Sequence, residues 1–396
     1  MDFSDFSRHP IVVFSTADWR ASNPVAQIQL IGNLSKYTRI LFINTISPSM
    51  PKLGSSSFYR RLKRKLPGML RIFSKPKPNL YVFSPIILPF IGNRKYQKWY
   101  TWFIYWQVRA LLVLLKFKNP IIWASNLSAV DIIPKFQKRL LVYFCNDKFD
   151  KSRYVKNKEL LQEYDREMAN MADVIFCVSR EIYAHYQKWA PERAYYLPHA
   201  IHFAHFSAAY ESDLPLPDDL AQIKKPIIGY HGSLTGANDL DLLYDCAQKR
   251  PDWSFVLIGR ITGGDYQPLE ELPNVHFLGP KSYDEIPCYL KGFDAGLLFW
   301  KLTEWIRYCN PFKTKEYLAM GLPVVSVDIP EVRYEYSDVI FVAEKREDFL
   351  AGIEHELATD SPEKKERRRA KVMNSTYDNQ VQEVISILLE KINSVS

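Results

Sequence analysis

The sequence predicts an α/β protein built from two doubly wound domains. Three observations support this fold class. The chain has 396 residues, which is too long for one ordinary core and suits two domains of about 150 to 200 residues each. Short apolar runs alternate with helical patterns, as in parallel sheets with crossover helices. The alternation stops near residues 195–199 and then begins again.

The first half contains six apolar runs typical of buried strands. They are residues 11–14, 40–44, 80–83, 121–124, 140–145 and 174–178. A polar loop at residues 15–23 follows the first strand, and a helical pattern covers residues 25–34. We expect residues 1–198 to form the first domain.

The second half repeats the pattern. Its predicted strands are residues 227–230, 253–258, 275–278, 295–298 and 324–327, and its predicted helices include residues 239–248 and 283–290. We expect residues 199–375 to form a second domain that faces the first across a cleft. A C-terminal helix within residues 376–396 is expected to cross back to the first domain.

Composition favours a folded protein of a reducing compartment. Apolar residues make up 47% of the chain and aromatic residues 14%. The five cysteines are scattered and show no C-x-x-C spacing, which argues against structural zinc and disulfides. The N-terminus carries Asp2 and Asp5 where a secretory signal would be basic, so we expect a cytoplasmic protein.

The net charge of +8 conceals a strong asymmetry. Residues 1–198 hold 31 Lys and Arg against 13 Asp and Glu, a net charge of +18, whereas residues 199–396 hold 21 against 31, a net charge of −10. A basic half can attract nucleic acid, an anionic membrane or phosphorylated substrates, and charge alone does not choose among them.

Residues 59–77 concentrate this positive charge, with eight basic residues, no acidic residue and interleaved apolar side chains. Basic and apolar groups together favour an anionic bilayer surface. The basic residues expected to contact the membrane are Arg60, Arg61, Lys63, Arg64 and Lys65. A solvated loop is the alternative.

The aromatic run that begins at Trp99 and Trp102 is typical of a membrane interface. Gln107 and Arg109 lie inside the apolar stretch that follows, so we expect a helix packed on the first domain, with some aromatic residues in lipid, and not a span. These features predict peripheral attachment to the inner face of the cell membrane, with an ordinary core helix as the alternative.

Residues 310–326 contain the most informative motif. The pattern predicts an amphipathic helix with Lys313 and Glu316 one turn apart, which ends at Gly321 and leads directly into an apolar strand. A solvated face on an ordinary βα unit is the alternative interpretation.

This motif resembles the signature of the donor domain in GT-B glycosyltransferases, above all the GT4-like group. The resemblance covers about residues 195–340 and includes several ordered glycine turns, at Gly232, Gly259 and Gly279. It implies two Rossmann-like domains and a site for a UDP- or GDP-linked sugar, in which Glu316 binds the ribose. The implied donor-binding residues are Tyr230, His231, Gly232, Ser233, Arg260, Asn310, Phe312, Lys313 and Glu316.

The sequence departs from the GT4 pattern in two places. Ser233 and approximately Asn238 stand where many members carry Arg and Lys for the donor diphosphate, and Tyr308 stands where the first Glu of the motif belongs. Lys313 is therefore our candidate for the diphosphate cation, assisted by helix dipoles in place of a metal. The Lys-x-x-Glu pattern is similar to teichuronic-acid-type and xanthan glucuronosyltransferase-type enzymes. The missing acid leaves the stereochemistry open.

Two carboxylates of the first domain are candidate bases. Asp147 follows a strand whose carboxyl end should face a ligand, and its segment resembles the Asp-bearing segment of the same two subgroups. Asp147 would deprotonate the acceptor in an inverting transfer or position it in a retaining one; capping of the next helix is the alternative. Asp18 is the weaker candidate. The residues beside it that could line an acceptor site are Trp19, Arg20 and Asn23.

Two apparent metal motifs are not expected to bind metal. The Asp239-Leu240-Asp241 segment opens a helix, where acidic residues favour the dipole. His199, His202 and His205 lack metal-ligand spacing. His231 differs from them, because it lies in the glycine turn.

These observations together predict a metal-independent glycosyltransferase that moves a sugar from a nucleotide sugar to a lipid-linked saccharide of a surface polysaccharide. A sugar-nucleotide 2-epimerase of the same fold is the first alternative. A non-catalytic basic protein that binds membrane or nucleic acid is the second, although clustered cations do not form the basic stripe typical of nucleic-acid binding.

Overall fold

The structure, a computed structural model, describes residues 3–20, 26–44, 72–86, 97–151, 157–213 and 215–394. Internal contacts divide the chain into two compact units. Unit 1 comprises Met1–Val178, Ile182–Leu197 and Gln380–Ser396, and unit 2 comprises Ser179–Glu181 and Pro198–Asn379. Each unit contains a largely parallel sheet with helices, so the predicted α/β fold class is confirmed.

Unit 1 is built on a sheet that has eight strands among the described residues. The strands are β1 (Ile11–Phe14), β2 (Ile40–Ile43), β3 (Phe73–Lys77), β4 (Leu80–Phe83), β5 (Ile121–Ala124), β6 (Leu141–Cys145), β7 (Val174–Cys177) and β8 (Ala194–Tyr196). The helices of this part of the chain are α1 (Ala26–Leu34), α2 (Gln97–Leu114), α3 (Lys158–Met171) and α4 (Arg180–Gln187). Most of these strands are buried along their whole length, because helices cover parallel sheets.

The strand order of unit 1 is β3-β4-β2-β1-β5-β6-β7-β8, and every neighbouring pair is parallel except β3 with β4. The order reverses between β1 and β5, so the carboxyl ends of these two strands define the position at which ligands bind in doubly wound sheets. β3 lies within the basic segment predicted to face the membrane, and the structure makes its residues 73–77 an edge strand.

Unit 2 has six parallel strands among its described residues. They are β9 (Ile227–His231), β10 (Ser254–Ile258), β11 (Val275–Gly279), β12 (Ala295–Leu298), β13 (Val324–Val327) and β14 (Phe341–Ala343). The helices are α5 (Phe203–Glu211), α6 (Asp218–Ala221), α7 (Leu240–Lys249), α8 (Gln267–Glu270), α9 (Ile286–Lys291), α10 (Phe312–Ala319), α11 (Pro330–Tyr336), α12 (Asp348–Thr359) and α13 (Pro362–Val372). The last helix, α14 (Tyr377–Ser394), belongs to unit 1 from Gln380 onward.

The strand order of unit 2 is β11-β10-β9-β12-β13-β14, which reverses between β9 and β12. One boundary differs clearly from the sequence expectation: the helix predicted at residues 283–290 begins at Ile286, with Pro287 in its first turn. Proline suits a first turn because the backbone N–H there has no intrahelical partner.

Helix α2 packs on unit 1 along one face. Ile104, Val108 and Leu112, spaced four residues apart, are buried. Within the ranges that the structure describes, no helix is sufficiently long and apolar to cross a bilayer.

Candidate functional site

The candidate site of unit 2 lies where the strand order reverses. β9 ends at His231, β12 leads into Trp300 two residues after its end, and α10 follows on the same connection. Parallel strands align their carboxyl ends, so residues from both connections meet at this edge of the sheet. Most of the predicted donor-binding residues lie on these segments.

Gly232 and Gly259 form two glycine turns in direct backbone contact. Gly232 adopts a φ of +125°, which side-chain-bearing residues rarely adopt. A Cβ on Gly259 would lie 1.9 Å from the carbonyl oxygen of Gly232, and the Gly232 N–H donates to the carbonyl of Ile258 at 2.8 Å. The first turn is therefore fixed by the second.

The Lys313 side chain is buried among aromatic rings at this turn. Its Nζ donates to the Tyr230 hydroxyl at 2.7 Å and lies 4.1 Å from the centroid of the Tyr230 ring and 5.0 Å from that of the Trp300 ring. It also lies 2.7 Å from where a Cβ on Gly232 would be. The missing side chain of Gly232 thus leaves the space that the ammonium occupies.

The ammonium of Lys313 alters the Tyr230 phenol. Burial alone would raise the pKa of Tyr230, but the positive charge and hydrogen bond of Lys313 outweigh burial and lower that pKa below its usual value. The cation therefore interacts strongly with this hydroxyl. The Lys313 ammonium has three N–H donors. Among the described residues, the Tyr230 hydroxyl accepts a hydrogen bond from one of them.

His231 and Glu316 form the second half of the site. His231 Nε2 lies 3.2 Å from Glu316 Oε2, and both side chains are more than nine-tenths buried. The two atoms are close enough for an ion pair, but neither makes a hydrogen bond to any part of the protein that the structure describes. Buried polar atoms without partners are costly, so this pair is suited to receive a polar ligand.

The backbone and ring of His231 are held by Tyr317. The backbone N–H of His231 donates to the Tyr317 hydroxyl at 3.1 Å, and the two rings meet edge to face with centroids 5.1 Å apart. Tyr317 and Trp300 are not among the site residues predicted from the sequence. Their positions, one residue after Glu316 and just beyond β12, were the signals that could have identified them.

Helix α10 is not amphipathic, contrary to the sequence expectation. Every side chain from Lys313 to Ala319 is buried. The reason lies on its outer side, where α5 and α13 also pack against it. Lys315 is buried as well, and its Nζ donates to the backbone carbonyl of His199. Burial lowers the pKa of Lys315 to about 8, although the carboxylates of Glu331 and Glu335 oppose the shift.

Four other predicted donor-site residues occupy different surroundings. Asn310 is buried and its Nδ2 donates to Glu331 Oε1 at 3.2 Å. The ring of Phe312 is 37% exposed and meets His199 edge to face. Ser233 and Arg260 are exposed at the ends of the two glycine turns, whose backbones are joined by the bond from Leu234 N to the Arg260 carbonyl at 3.0 Å.

The helix after the first glycine turn, α7, is capped at its N-terminus by a side chain. Asp239 caps α7 by accepting from the Leu242 N–H at 3.1 Å, and it also pairs with Arg346. Asn238 is fully buried, and its Oδ1 accepts from the Thr235 N–H at 2.9 Å. Lys313 is thus the buried cation nearest to this turn among the described residues.

Asp239 acts as a helix cap, as expected for the Asp239-Leu240-Asp241 segment. His202 packs against Tyr377 with ring centroids 4.7 Å apart, and His205 stacks on Tyr283 at 5.4 Å. The described parts of the chain contain no group of three or more His, Cys, Asp or Glu side chains arranged to hold a metal ion.

In unit 1, Asp18 lies on the loop after β1, where the strand order reverses. Its side chain is exposed, and its Oδ1 accepts from the Arg20 N–H at 3.0 Å. The indole of Trp19 packs on Phe42 with ring centroids 5.2 Å apart, and the backbone N–H of Trp19 donates to Asn44 Oδ1 at 2.9 Å. Arg20 is exposed, whereas Asn23 lies outside the described residues.

A buried polar network that the sequence patterns do not predict supports this loop. Ser15, Gln27 and Ser125 form a chain in which Ser15 Oγ donates to Gln27 Oε1 at 3.3 Å and Gln27 Nε2 donates to Ser125 Oγ at 2.7 Å. Ser15 Oγ also accepts from the Ala17 N–H at 2.9 Å. Such a satisfied network fixes the loop that carries Asp18.

Asp147 lies two residues after β6, one strand further from the reversal point than Asp18. It is half-buried, and its backbone carbonyl is 3.7 Å from Cys145 Sγ. The structure therefore places the two candidate bases on the same edge of the sheet of unit 1 but on different connections.

The membrane-facing predictions fall partly outside the described residues. The predicted contacts that lie outside the described residues include Arg60, Arg61, Lys63, Arg64 and Lys65. Trp99 and Trp102 lie on α2, are 70% and 54% exposed, and continue to Trp106, which is 51% exposed. Successive ring centroids are 6.5 and 6.0 Å apart, so the three indoles form one continuous exposed surface.

Comparisons with known proteins agree with this architecture. Residues 225–359 match the family model of the group 1 glycosyl transferases. A putative teichuronic acid biosynthesis glycosyltransferase, TuaH of Bacillus subtilis (strain 168), is 28% identical over 228 residues, which cover 54% of this chain and 55% of that protein. The chain thus matches about half the length of this curated relative.

Solved structures are similar over almost the whole chain. A sucrose-phosphate synthase from Thermosynechococcus elongatus has a TM-score of 0.72 at 13% identity, covering 98% of this chain and 100% of its own. Anabaena HepE, solved in complex with UDP-glucose, has a TM-score of 0.64 at 14% identity, covering 96% and 99%. The chain has the GT-B fold, its residues 225–359 match the group 1 family model, and the resemblance inferred from its motifs is confirmed.

Proposed function

We propose that this GT-B protein is a glycosyltransferase whose unit 2 binds a nucleotide sugar. The proposal depends on one observation: His231 Nε2 and Glu316 Oε2 are buried and have no hydrogen-bond partner among the described residues. The buried ammonium of Lys313, on the same helix as Glu316, adds a positive charge to this site. A carboxylate oxygen needs a donor, which the hydroxyls of a ribose would supply. The ammonium needs an anion, which the diphosphate would supply.

Lys313 would then stabilise the leaving group. As the bond between the sugar and the diphosphate breaks, negative charge develops on the phosphate oxygens, and a fixed cation in a water-poor site stabilises that charge most strongly. We propose that this cation replaces a metal ion in the reaction. The similarity to HepE, whose structure was solved with UDP-glucose, favours a UDP-linked donor.

The acceptor would be a lipid-linked saccharide of a surface polysaccharide, and the base would come from unit 1. In an inverting transfer Asp147 would take the proton from the acceptor hydroxyl, with Asp18 as the second candidate. In a retaining transfer either carboxylate would position the acceptor. The similarity to TuaH, described as a putative teichuronic acid biosynthesis glycosyltransferase, supports a role in the synthesis of a polysaccharide. We propose a hexosyl or glucuronosyl transfer, as the Lys313-x-x-Glu316 resemblance implies.

A lipid-linked acceptor requires contact with a membrane, and we propose that unit 1 provides it. The exposed indoles of Trp99, Trp102 and Trp106 are suited to the interface of a bilayer, where amphipathic rings concentrate. The basic residues Arg60 to Lys65 would add attraction to anionic lipid. The protein would then act at the inner face of the cell membrane without spanning it.

The test of the donor site is binding and turnover with a defined panel: UDP-glucose, UDP-glucuronic acid, UDP-N-acetylglucosamine and GDP-mannose. A ligand at 100 times its Kd stabilises the native state by about 2.7 kcal/mol, which raises the melting temperature measurably. One of the four should do so. Lys313→Ala and Glu316→Ala should abolish that shift and lower turnover at least about 100-fold.

Lys345→Ala and Glu347→Ala are matched controls, because both side chains are exposed on the same unit. They should leave the shift unchanged. Full binding in both site variants would refute the donor-site assignment. Conversion of a UDP-sugar without any acceptor would instead indicate the epimerase.

A further inference from the structure

A buried cluster of charged and hydroxyl groups lies beneath the loop that carries Asp147. Its centre is Asp165, in the middle of α3, which is 7% exposed. Asp165 Oδ1 accepts from the Tyr143 hydroxyl at 2.6 Å and from the Tyr186 hydroxyl at 2.5 Å, while Oδ2 accepts from Lys148 Nζ at 2.6 Å. Three donors from three elements thus converge on one carboxylate.

Lys148 is the residue directly after Asp147, and its side chain is almost completely buried. It also lies 3.8 Å from Asp150 Oδ1, and Asp150 in turn accepts from Gln162 Nε2 at 3.3 Å. Burial would lower the pKa of Lys148, but the charge and hydrogen bond of Asp165, together with Cys145 and Asp150, outweigh burial and raise it. Lys148 therefore stays charged at neutral pH and keeps its bond to α3.

Further hydrogen bonds hold the backbone of the same loop. The Cys145 thiol contacts the carbonyl of Asp147 at 3.7 Å, and the carbonyl of Lys148 accepts from the Lys151 N–H at 3.0 Å. The loop is thus tied to β6 in front of Asp147 and to α3 behind it. With Lys148 directed inward, Asp147 remains half-buried at the edge of the sheet.

Stability alone does not account for this cluster. Two charges removed from water lose hydration energy that their mutual attraction often fails to restore, and apolar replacements of buried ion pairs are commonly neutral or stabilising. A buried pair does, however, fix one geometry, because its partners tolerate little displacement. Lys148 and Asp165 fix the position of the backbone next to Asp147, a candidate base.

We propose that the Lys148–Asp165 pair is a positioning device that holds the Asp147 carboxylate in place for the acceptor. This inference rests on the proposed glycosyltransferase function. Lys148 and Asp165 would contact neither donor nor acceptor and would act through Asp147 alone. A displacement of about 1 Å in a reacting group can cost about 100-fold in rate, so a loosened loop should have a large effect on turnover.

The test uses the full-length chain with Lys148→Met combined with Asp165→Asn, which removes both charges of the pair and leaves Asp150 with its hydrogen bond from Gln162. Amide hydrogen exchange should become faster at residues 146–150. With UDP-glucose or UDP-glucuronic acid as donor and a polyprenyl-diphosphate-linked saccharide as acceptor, kcat should fall about 100-fold while KM for the donor stays constant. Lys118→Met, an exposed lysine of the same unit, is the control and should change neither quantity.

The decisive comparison combines this double variant with Asp147→Asn. If Lys148 and Asp165 act through Asp147, the combination should be no slower than Asp147→Asn alone. Multiplied losses, unchanged kcat or unchanged hydrogen exchange would each overturn the proposal. Failure of the proposed function is distinguishable, because the wild type would then turn over neither donor, and Lys313→Ala would leave nucleotide-sugar binding unaltered.

Discussion

The Lys313 ammonium lies where a side chain on Gly232 would begin, at the end of β9, so the site requires glycine at this position. An added Cβ would lie 2.7 Å from Lys313 Nζ at a φ of +125°. Gly232→Ala should therefore displace the ammonium and cost about 1–3 kcal/mol of stability through backbone strain. We expect nucleotide-sugar affinity, measured by calorimetry, to fall at least tenfold.

Gly279→Ala is a control that introduces backbone strain without displacing the Lys313 ammonium. Gly279 also has a positive φ, +69°, but no atom lies within 4 Å of its added Cβ. This variant should lose about 1 kcal/mol of stability and keep its affinity. Equal affinity losses in the two variants would show that the contact with Lys313 is irrelevant to binding.

Lys315 should make stability depend on alkaline pH. Its pKa is lowered from 10.5 to about 8 by burial. Between these values the unfolded chain binds more protons than the folded one, so the free energy of unfolding increases with pH. The shift corresponds to about 3 kcal/mol, which opposes folding fully below pH 8.

Urea denaturation of wild type and Lys315→Met at pH 7 and pH 10 measures this effect. Between pH 7 and pH 10, the unfolding free energy of the wild type should increase by about 2–3 kcal/mol relative to that of Lys315→Met. Lys345→Met, an exposed control, should show no such change. A pH-independent difference would mean that Lys315 keeps an ordinary pKa in the folded state.

At the scale of elements, two buried arginines of α13 fix the C-terminal end of α10. Arg369 Nη1 donates to the carbonyl of Ala319 at 2.8 Å, and Arg368 Nη1 donates to that of Gly321 at 3.0 Å. The last carbonyls of a helix lack intrahelical partners and carry partial negative charge, so cations suit them. The helix that presents Lys313 and Glu316 is thereby anchored from behind.

Arg368→Met should be strongly destabilising. Arg368 is 2% exposed and also pairs with Glu356 and Asp360 at 3.1 and 2.6 Å, so its loss leaves buried charge uncompensated at a cost of about 3–5 kcal/mol. Arg367→Met, next to it but exposed and 3.8 Å from Asp338, should cost less than about 1 kcal/mol. Similar melting temperatures for both variants would contradict this account of the helix end.

At the scale of the whole molecule, local patterns predicted the sheets because parallel strands are continuous apolar runs. The runs at Leu80–Phe83, Ile121–Ala124 and Val324–Val327 match observed strands residue for residue. β3 was missed because five mostly exposed residues with a proline give no apolar signal.

The candidate site was predictable only in part. Lys313 and Glu316 share one helix, so their spacing was visible in the sequence. The pairing of Glu316 with His231, 85 positions away, depends on the reversal of strand order between β9 and β12, which no local pattern encodes. The Lys148–Asp165 pair was not predicted either, because lysine and aspartate side chains are usually exposed.

The asymmetry of charge between the two halves of the chain leads to a prediction about its basic segment. Changing Arg60, Arg61, Lys63, Arg64 and Lys65 to Gln should weaken binding to phosphatidylglycerol vesicles by about 1 kcal/mol per charge removed near the surface. The remaining binding should fall less steeply with added salt, because fewer charges are left for salt to screen. Undiminished, salt-sensitive binding in this variant would rule out the segment as the electrostatic contact.

The indole surface of α2 should contribute a salt-independent part of the same binding. Burying about 100 Å² of ring surface in lipid contributes about 2.5 kcal/mol, which exceeds a tenfold change in partitioning. Trp99→Ser, Trp102→Ser and Trp106→Ser together should therefore lower vesicle binding at least tenfold at high salt, measured by co-sedimentation. Tyr334→Ser removes a ring that is 59% exposed on unit 2, and it should have no effect. Equal binding of the triple variant and the wild type at high salt would leave the indoles without a role at the membrane.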